Sequence, residues 1–257
     1  MECVSHPERE VAMTMTQALR KSADTLLPGL TFVAVAAAIF MVFIWVPSDR
    51  IQGVVQRIFY FHVPLAMMTF SAFGVVAIAS IAFLWRGNRF WDRLAHSSAE
   101  VGMVFCTLVL VTGPIWARPI WGTWWTWDAR LTTTLILWLI YAAYLMLRSL
   151  SATGDQGARY AAVLGIVGAI DIPIINRSVY WWRTIHPAVL ITREGGSGLS
   201  DPRMQATFGV CMAAFLLLFA WLLWVRNESG RLHDAVEDLR QRVLTPAERE
   251  LRGEAHG

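Results

Sequence analysis

A tryptophan-rich stretch is the part of this sequence whose residue types could bind a ligand. Residues 121–132 read Trp-Gly-Thr-Trp-Trp-Thr-Trp-Asp-Ala-Arg-Leu-Thr, with four indoles in seven positions. Indoles offer a flat apolar surface, and an arginine suits a ligand's carboxylates. An interfacial aromatic belt is the simpler alternative, but a belt needs only one or two indoles per helix end. The density therefore favours a binding surface made of Trp121, Trp124, Trp125, Trp127, Asp128 and Arg130.

Arg130 has two possible roles. A salt bridge to Asp128, two residues earlier, would contribute only about 0–1 kcal/mol if it is exposed. A ligand carboxylate would instead gain two charge-assisted hydrogen bonds from the guanidinium. The sequence leaves both roles open.

Two of the six histidines, His62 and His186, are predicted to lie at the same membrane level as the tryptophans. A single histidine at a span boundary is usually just an interfacial residue. Two imidazoles beside an indole surface suit haem, whose iron accepts axial histidines from its two faces. The porphyrin also needs apolar cover, and its propionates need cations. The combination makes His62 and His186 candidate metal ligands.

The elements that must position these residues are membrane helices. The chain has 257 residues, of which 56% are hydrophobic and only 16% charged, outside the range of soluble domains. Its apolar residues form six runs, at about 30–46, 62–85, 98–116, 131–147, 160–175 and 204–225. A further short segment, 51–61, has the spacing of a helix lying in the interface. We therefore predict an all-α integral membrane protein with six transmembrane helices.

The arginine distribution orients these spans. Loops 86–93 and 148–159 carry five arginines, which places them and both termini in the cytoplasm. The tryptophan motif then lies in the second periplasmic loop. The outer loops also contain arginines, so the bias is weak, and binding of an anionic ligand is one explanation for them.

Three regions follow from this topology. Residues 1–27 form a cytoplasmic N-terminal tail, 28–225 a six-span haem-handling membrane domain, and 226–257 a charged cytoplasmic tail. The second tail is predicted to be helical, as a surface helix or a partner-docking helix, because its apolar residues share one face: Leu232, Val236, Leu239 and Val243. Within the fifth span, Asp171 is costly in hydrocarbon and is a functional candidate unless it reaches the interface.

Several functions are disfavoured by missing motifs. No Cys-x-x-Cys-His occurs, so the chain does not attach c-type haem covalently. No G-x-x-x-x-G-K-[ST] loop occurs, so ATP-driven work would need a partner. The small net charge of +3 leaves no nucleic-acid footprint.

The tryptophan motif carries a family resemblance. Its pattern, W-G-x-W-W-x-W-D-x-R-L-T, resembles the "WWD" signature of the haem-handling proteins CcmC, CcmF and CcsA. The length, the six spans and two flanking segments, residues 57–64 (RIFYFHVP) and 178–186 (SVYWWRTIH), narrow the resemblance to the CcmC family. It covers roughly residues 28–225. One departure is Pro187, which stands where a glutamine is expected in many relatives.

The resemblance implies a function in c-type cytochrome biogenesis. CcmC-like proteins hold haem at the outer face of the bacterial inner membrane, using the WWD loop and two histidines. With the ABC-type subunits CcmA and CcmB and the small CcmD, they load haem onto the chaperone CcmE. The chain would then be a non-enzymatic transport subunit that carries haem b non-covalently, with His62 and His186 as axial ligands.

Two other classes of membrane protein fit this sequence less well. A membrane b-type cytochrome would need histidine pairs at two depths to move electrons across about 30 Å of hydrocarbon, and this sequence offers one pair. A secondary transporter would be expected to show internal repeats, and none is apparent.

Overall fold

The computed structural model describes residues 6–150, 155–182, 184–186, 199 and 201–254, and this part of the chain is helical with no strand. A π-helical turn, Met41–Trp45, follows the first helix, and a 3-10 turn, Val54–Ile58, precedes the second. The six α-helices are α1 His6–Phe40, α2 Phe59–Arg86, α3 Arg89–Trp121, α4 Ala129–Leu150, α5 Asp155–Trp181 and α6 Pro202–Glu254.

All six helices contain a stretch long and apolar enough to cross a membrane, which confirms the predicted all-α, six-span fold. The charged tail is also helical, because it continues α6 without a break. At 1.5 Å per residue the 53 residues of α6 extend about 80 Å, well beyond a hydrocarbon core of about 30 Å. Leu232, Val236 and Leu239 are exposed on this extension, whereas the side chain of Val243 lies outside the described residues.

The segment before α2 differs from its prediction. A separate amphipathic helix over 51–61 does not form, because the 3-10 turn continues directly into α2 at Phe59. Ahead of it, the Asp49 carboxylate accepts the backbone N–H groups of Ile51 and Gln52, at 2.8 and 2.7 Å. Gly53 then takes a φ of 61°, which favours glycine. His62 therefore lies one turn inside α2 rather than at its start.

Two helices are longer than the hydropathy pattern predicts. α3 continues past residue 116 to Trp121, and α5 continues past residue 175 to Trp181. The prolines inside them do not end them, because a membrane helix can satisfy the freed backbone groups in other ways. The basic segment 86–93 is mostly helix, with a two-residue turn of Gly87 and Asn88 between α2 and α3.

The chain divides into two compact units, and the predicted site belongs to the first. This first unit comprises Met1–Met68, Phe105–Thr132 and Arg177–Trp221. Phe59 is central to its core and packs against Tyr60, Trp116 and Phe208, with ring centroids 5.5, 6.2 and 5.2 Å away. This packing fixes the start of α2, one turn before His62.

The second unit comprises Thr69–Val104, Thr133–Asn176 and Leu222–Gly257. Its centre is Tyr141, whose ring stacks on Phe73 at 3.6 Å and whose hydroxyl donates to the Gly165 carbonyl oxygen at 2.9 Å. Gly165 and Gly168 of α5 have no side chain, which lets α5 pack closely in this unit. Asp171, on the same helix, is buried.

Candidate functional site

The WWD loop, residues 122–128, joins α3 to α4 through a glycine turn. Gly122 follows the last residue of α3 with a φ of 77°, and its N–H donates to the Arg118 carbonyl oxygen at 3.0 Å. The Arg118 guanidinium in turn donates to the Gly122 carbonyl oxygen. Further along, the Thr123 hydroxyl donates to the Trp125 carbonyl oxygen at 3.1 Å. These hydrogen bonds fix the backbone conformation of the WWD loop.

Asp128 ends this loop, and its two carboxylate oxygens contact different parts of the chain. Oδ1 accepts the backbone N–H of Leu131 at 3.0 Å, which caps the N-terminus of α4. Oδ2 lies 3.3 Å from Nδ1 of His186, and the Asp128 side chain is only 7% exposed. Sequence reasoning placed Asp128 in the aromatic surface. The structure shows that it also holds one of the two predicted histidines.

His186 lies against the last tryptophan of α3. Its ring centroid is 5.4 Å from that of Trp121, and its backbone N–H donates to the Thr184 hydroxyl at 3.1 Å. Burial lowers the pKa of His186 below its usual value, although the Asp128 carboxylate acts in the opposite direction. An ionised carboxylate can only accept, so Nδ1 carries the proton and Nε2 keeps its lone pair. Pro187 lies outside the described residues.

His62 is held by residues of α3. Its Nδ1 lies 2.8 Å from the Thr112 hydroxyl oxygen, and its ring meets that of Trp116 edge-on at 5.7 Å. A Cβ at Gly113 would lie 3.3 Å from Cε1 of the imidazole, so the helix backbone comes close to the ring. The Trp116 indole N–H donates to Oε1 of Gln52 at 3.1 Å.

The structure brings the two predicted histidines and Arg130 together. A charge on His186 or on Arg130 acts electrostatically on His62, and the charge of Arg130 also acts on His186. These residues come from the start of α2, the start of α4 and the segment after α5. The first unit therefore places His62, His186 and Arg130, from three distant parts of the sequence, within range of one another's charge.

The four tryptophans of the motif have different environments. Trp124 and Trp127 are 59% and 75% exposed, whereas Trp121 and Trp125 are half-buried. Trp125 and Trp127 meet edge-to-face at 5.7 Å. The Trp125 indole N–H is buried, and no residue in the described part of the chain accepts a hydrogen bond from it. The motif thus presents exposed indole surface and one buried donor.

A second aromatic pair follows α5. Trp181 and Trp182 meet edge-to-face at 5.7 Å and are 60% and 52% exposed. They lie in the same unit as the WWD loop, close in sequence to His186. Their exposure is compatible both with an extension of the aromatic surface of the WWD loop and with ordinary residues of an interfacial belt.

Sequence reasoning missed the residues around His62. Thr112, Trp116 and Gln52 belong to no motif, and Trp116 was predicted only as the end of a span. The signal that could have found Thr112 is weak. A threonine in an apolar helix is common, and its role depends on a partner 50 residues away.

Comparison with known proteins identifies the family. A family model described as "Heme exporter protein C" matches residues 9–242, which is nearly the whole chain. This chain belongs to the Heme exporter protein C family. With six spans confirmed, it is a multi-pass membrane protein.

Relatives that carry the name Heme exporter protein C support this assignment over most of their length. The protein of Bradyrhizobium diazoefficiens is 43% identical over 185 residues, covering 71% of this chain and 70% of its own. That of Haemophilus influenzae is 38% identical over 206 residues, covering 78% and 81%. That of Escherichia coli K12 is 32% identical over 204 residues, covering 77% and 81%.

Proposed function

We propose that this chain binds haem b non-covalently as transported cargo, with His62 and His186 as axial ligands. It would do so at the periplasmic face of the bacterial inner membrane, in a complex with CcmA, CcmB and CcmD, and pass the haem to CcmE. The observation that carries the proposal is that a neighbouring oxygen holds each of the two imidazoles. Each has its Nδ1 engaged by a neighbour, in an arrangement that leaves Nε2 available.

This support suits iron ligation. Histidines that bind a metal usually donate their other ring N–H to a carboxylate or another oxygen, which fixes the tautomer and the ring orientation. Asp128 does this for His186, and the Thr112 hydroxyl is placed to do it for His62.

The remaining groups suit the rest of the haem molecule. Trp121, Trp124 and Trp127 supply apolar aromatic surface for the porphyrin. The propionates need donors and positive charge. The buried Trp125 N–H lacks an acceptor among the described residues, and Arg130 supplies a cation.

The exposure of the site favours transfer over permanent storage. Trp124 and Trp127 are largely exposed, so a haem resting on them would be reachable by an acceptor protein. The sequence has no nucleotide-binding loop, so ATP-driven steps fall to CcmA in this proposal. The chain itself acts as a binding and transport subunit rather than as an enzyme.

Accumulation of haem in the absence of the acceptor tests the proposal. The tagged complex is purified from cells with and without CcmE, and haem per chain is measured. We expect haem to accumulate when CcmE is missing, and to be lost from the double variant His62→Ala/His186→Ala. The control is His233→Ala, an exposed histidine on the extension of α6. Equal haem in the double variant and the unmodified complex would contradict the proposal.

A further inference from the structure

Thr112 lies between His62 and a backbone carbonyl of its own helix, α3. Its hydroxyl oxygen lies 2.7 Å from the Leu108 carbonyl oxygen and 2.8 Å from Nδ1 of His62. A hydroxyl has one proton to donate and lone pairs to accept with. If the proton goes to Leu108, the hydroxyl accepts the Nδ1–H of His62. The imidazole then presents an unprotonated Nε2.

The helix geometry favours this arrangement. A threonine inside a helix commonly donates its hydroxyl proton to the carbonyl four residues earlier, as Thr112 does to Leu108. A second carbonyl oxygen, that of Val109, lies 3.5 Å away on the same side. The reverse arrangement would have the hydroxyl donate to Nδ1 and leave the proton on Nε2, which could not bind iron.

The two histidines therefore have unequal support. Nδ1 of His186 faces the Asp128 carboxylate, a charged acceptor, whereas Nδ1 of His62 faces a neutral hydroxyl. The Asp128 contact is the longer of the two, at 3.3 Å against 2.8 Å, but it carries a negative charge. An anionic partner raises the basicity of the metal-binding nitrogen, which a neutral hydroxyl does less. The imidazole with carboxylate support is the stronger iron ligand.

We propose that Thr112 is a positioning residue that fixes the Nδ1–H tautomer of His62, and that its neutral hydroxyl makes His62 the iron ligand that dissociates first. This inference rests on the proposed function, because it needs haem held by both histidines. It adds an order to the transfer. His186 retains the haem while the His62 side of the iron opens to the acceptor.

Substitution of Thr112 tests the positioning role in the full complex. Thr112→Val keeps the shape and removes the hydroxyl, whereas Thr112→Ser keeps the hydroxyl. The rate of haem loss to an added apoglobin and the iron reduction potential are measured for both. Loss of such outer support typically costs 10–100-fold in metal affinity. We expect haem loss from Thr112→Val to be about 10-fold faster, with a shifted potential, and Thr112→Ser to stay near the unmodified complex. Equal behaviour of the two variants would overturn the role.

Competition with imidazole tests the order of release and needs no change at Thr112. Added imidazole should displace His62 from the ferric haem of the unmodified complex. The adduct should then have the electron paramagnetic resonance spectrum of His62→Ala supplied with imidazole. A spectrum matching His186→Ala supplied with imidazole would overturn the order.

The same variants distinguish failure of the proposed haem ligands from failure of the proposed role of Thr112. Unchanged haem bands in both His62→Ala and His186→Ala would remove the proposed axial ligands, and the inference would fall with them. Changed bands in these variants, with Thr112→Val indistinguishable from Thr112→Ser, would leave the haem site standing and overturn the role of Thr112 alone.

Discussion

The WWD loop of the first compact unit and the Tyr141 cluster of the second use aromatic residues in opposite ways. In the first unit Trp124 and Trp127 are exposed on a short loop, and the Trp125 N–H is buried without an acceptor among the described residues. In the second unit Tyr141 is fully buried, stacked on Phe73, with its hydroxyl satisfied. An aromatic cluster that serves only packing is buried, and its polar atoms have hydrogen-bond partners. The contrast supports the proposal that the WWD loop of the first unit binds a ligand and that the second unit is a scaffold.

The largest expected effect is the overpacking of the scaffold unit at Gly168. A Cβ there would lie 2.9 Å from side-chain atoms of both Ile140 and Tyr141. Overpacking of a close contact typically costs about 1–3 kcal/mol, and leucine adds further atoms to the Cβ. We expect Gly168→Leu to abolish accumulation of the folded protein, measured by fluorescence-detected gel filtration. Gly209→Leu, at a glycine with nothing within 4 Å of its Cβ position, is the control.

Loss of an ion pair in the scaffold unit should have a smaller effect. Arg148 makes two 2.9 Å hydrogen bonds to Asp92, and both side chains are 19% exposed. Removing such a bond should cost about 2 kcal/mol. Arg148→Ala should therefore lower the unfolding temperature without changing haem content. Arg89→Ala, whose pair with Asp238 is largely exposed, should change the unfolding temperature little. Similar shifts in both variants would contradict the larger contribution of the less exposed pair, and loss of haem in Arg148→Ala would contradict the assignment of Arg148 to the scaffold.

A tryptophan of the site should show the reverse pattern. Trp121 contacts the ring of His186, and losing an aromatic contact of this kind costs about 0.5–1.5 kcal/mol beyond its area. We expect Trp121→Ala to weaken haem retention by up to about tenfold, with little change in unfolding temperature. Trp85→Ala removes an indole that is 81% exposed at the end of α2 in the other unit, and its haem retention should be unchanged.

Two variants at one position separate the two roles of Asp128. Asp128→Asn retains a capping oxygen for α4 but loses the charge that faces His186, whereas Asp128→Ala loses both. Loss of the cap costs about 1 kcal/mol. We expect weaker haem binding in both variants and a lower unfolding temperature only in Asp128→Ala. Full haem retention in Asp128→Asn would show that the carboxylate charge does not support the ligand.

The sequence predicted the features that are encoded locally. Hydropathy runs as long as a bilayer is thick gave the six spans. The motif and its flanks brought His62, His186 and Arg130 into one prediction, and the structure places them in one unit. Helices α3 and α5 continue beyond the predicted spans, because apolar content marks the part of a helix that crosses the membrane and not where the helix ends. The continuation of α3 to Trp121 depends on a turn at Gly122 that hydropathy does not register.

The contacts that support the histidines could not be predicted, because each joins distant parts of the chain. Thr112 meets His62 across 50 positions, and Asp128 meets His186 across 58. Asp128 has one role that the local sequence predicts and one that it does not. Its capping role follows from its place just before an apolar helix, whereas its contact with His186 depends on the fold.

The most direct test of whether His62 and His186 bind the haem iron is an electron paramagnetic resonance spectrum. It is measured on the ferric haem complex purified without CcmE. If both histidines bind the iron, we expect a low-spin spectrum typical of two axial imidazoles. That spectrum should be lost in His62→Ala and in His186→Ala alike, and each should be restored by added imidazole. An unchanged two-imidazole spectrum in either single variant would show that the replaced histidine does not bind the iron.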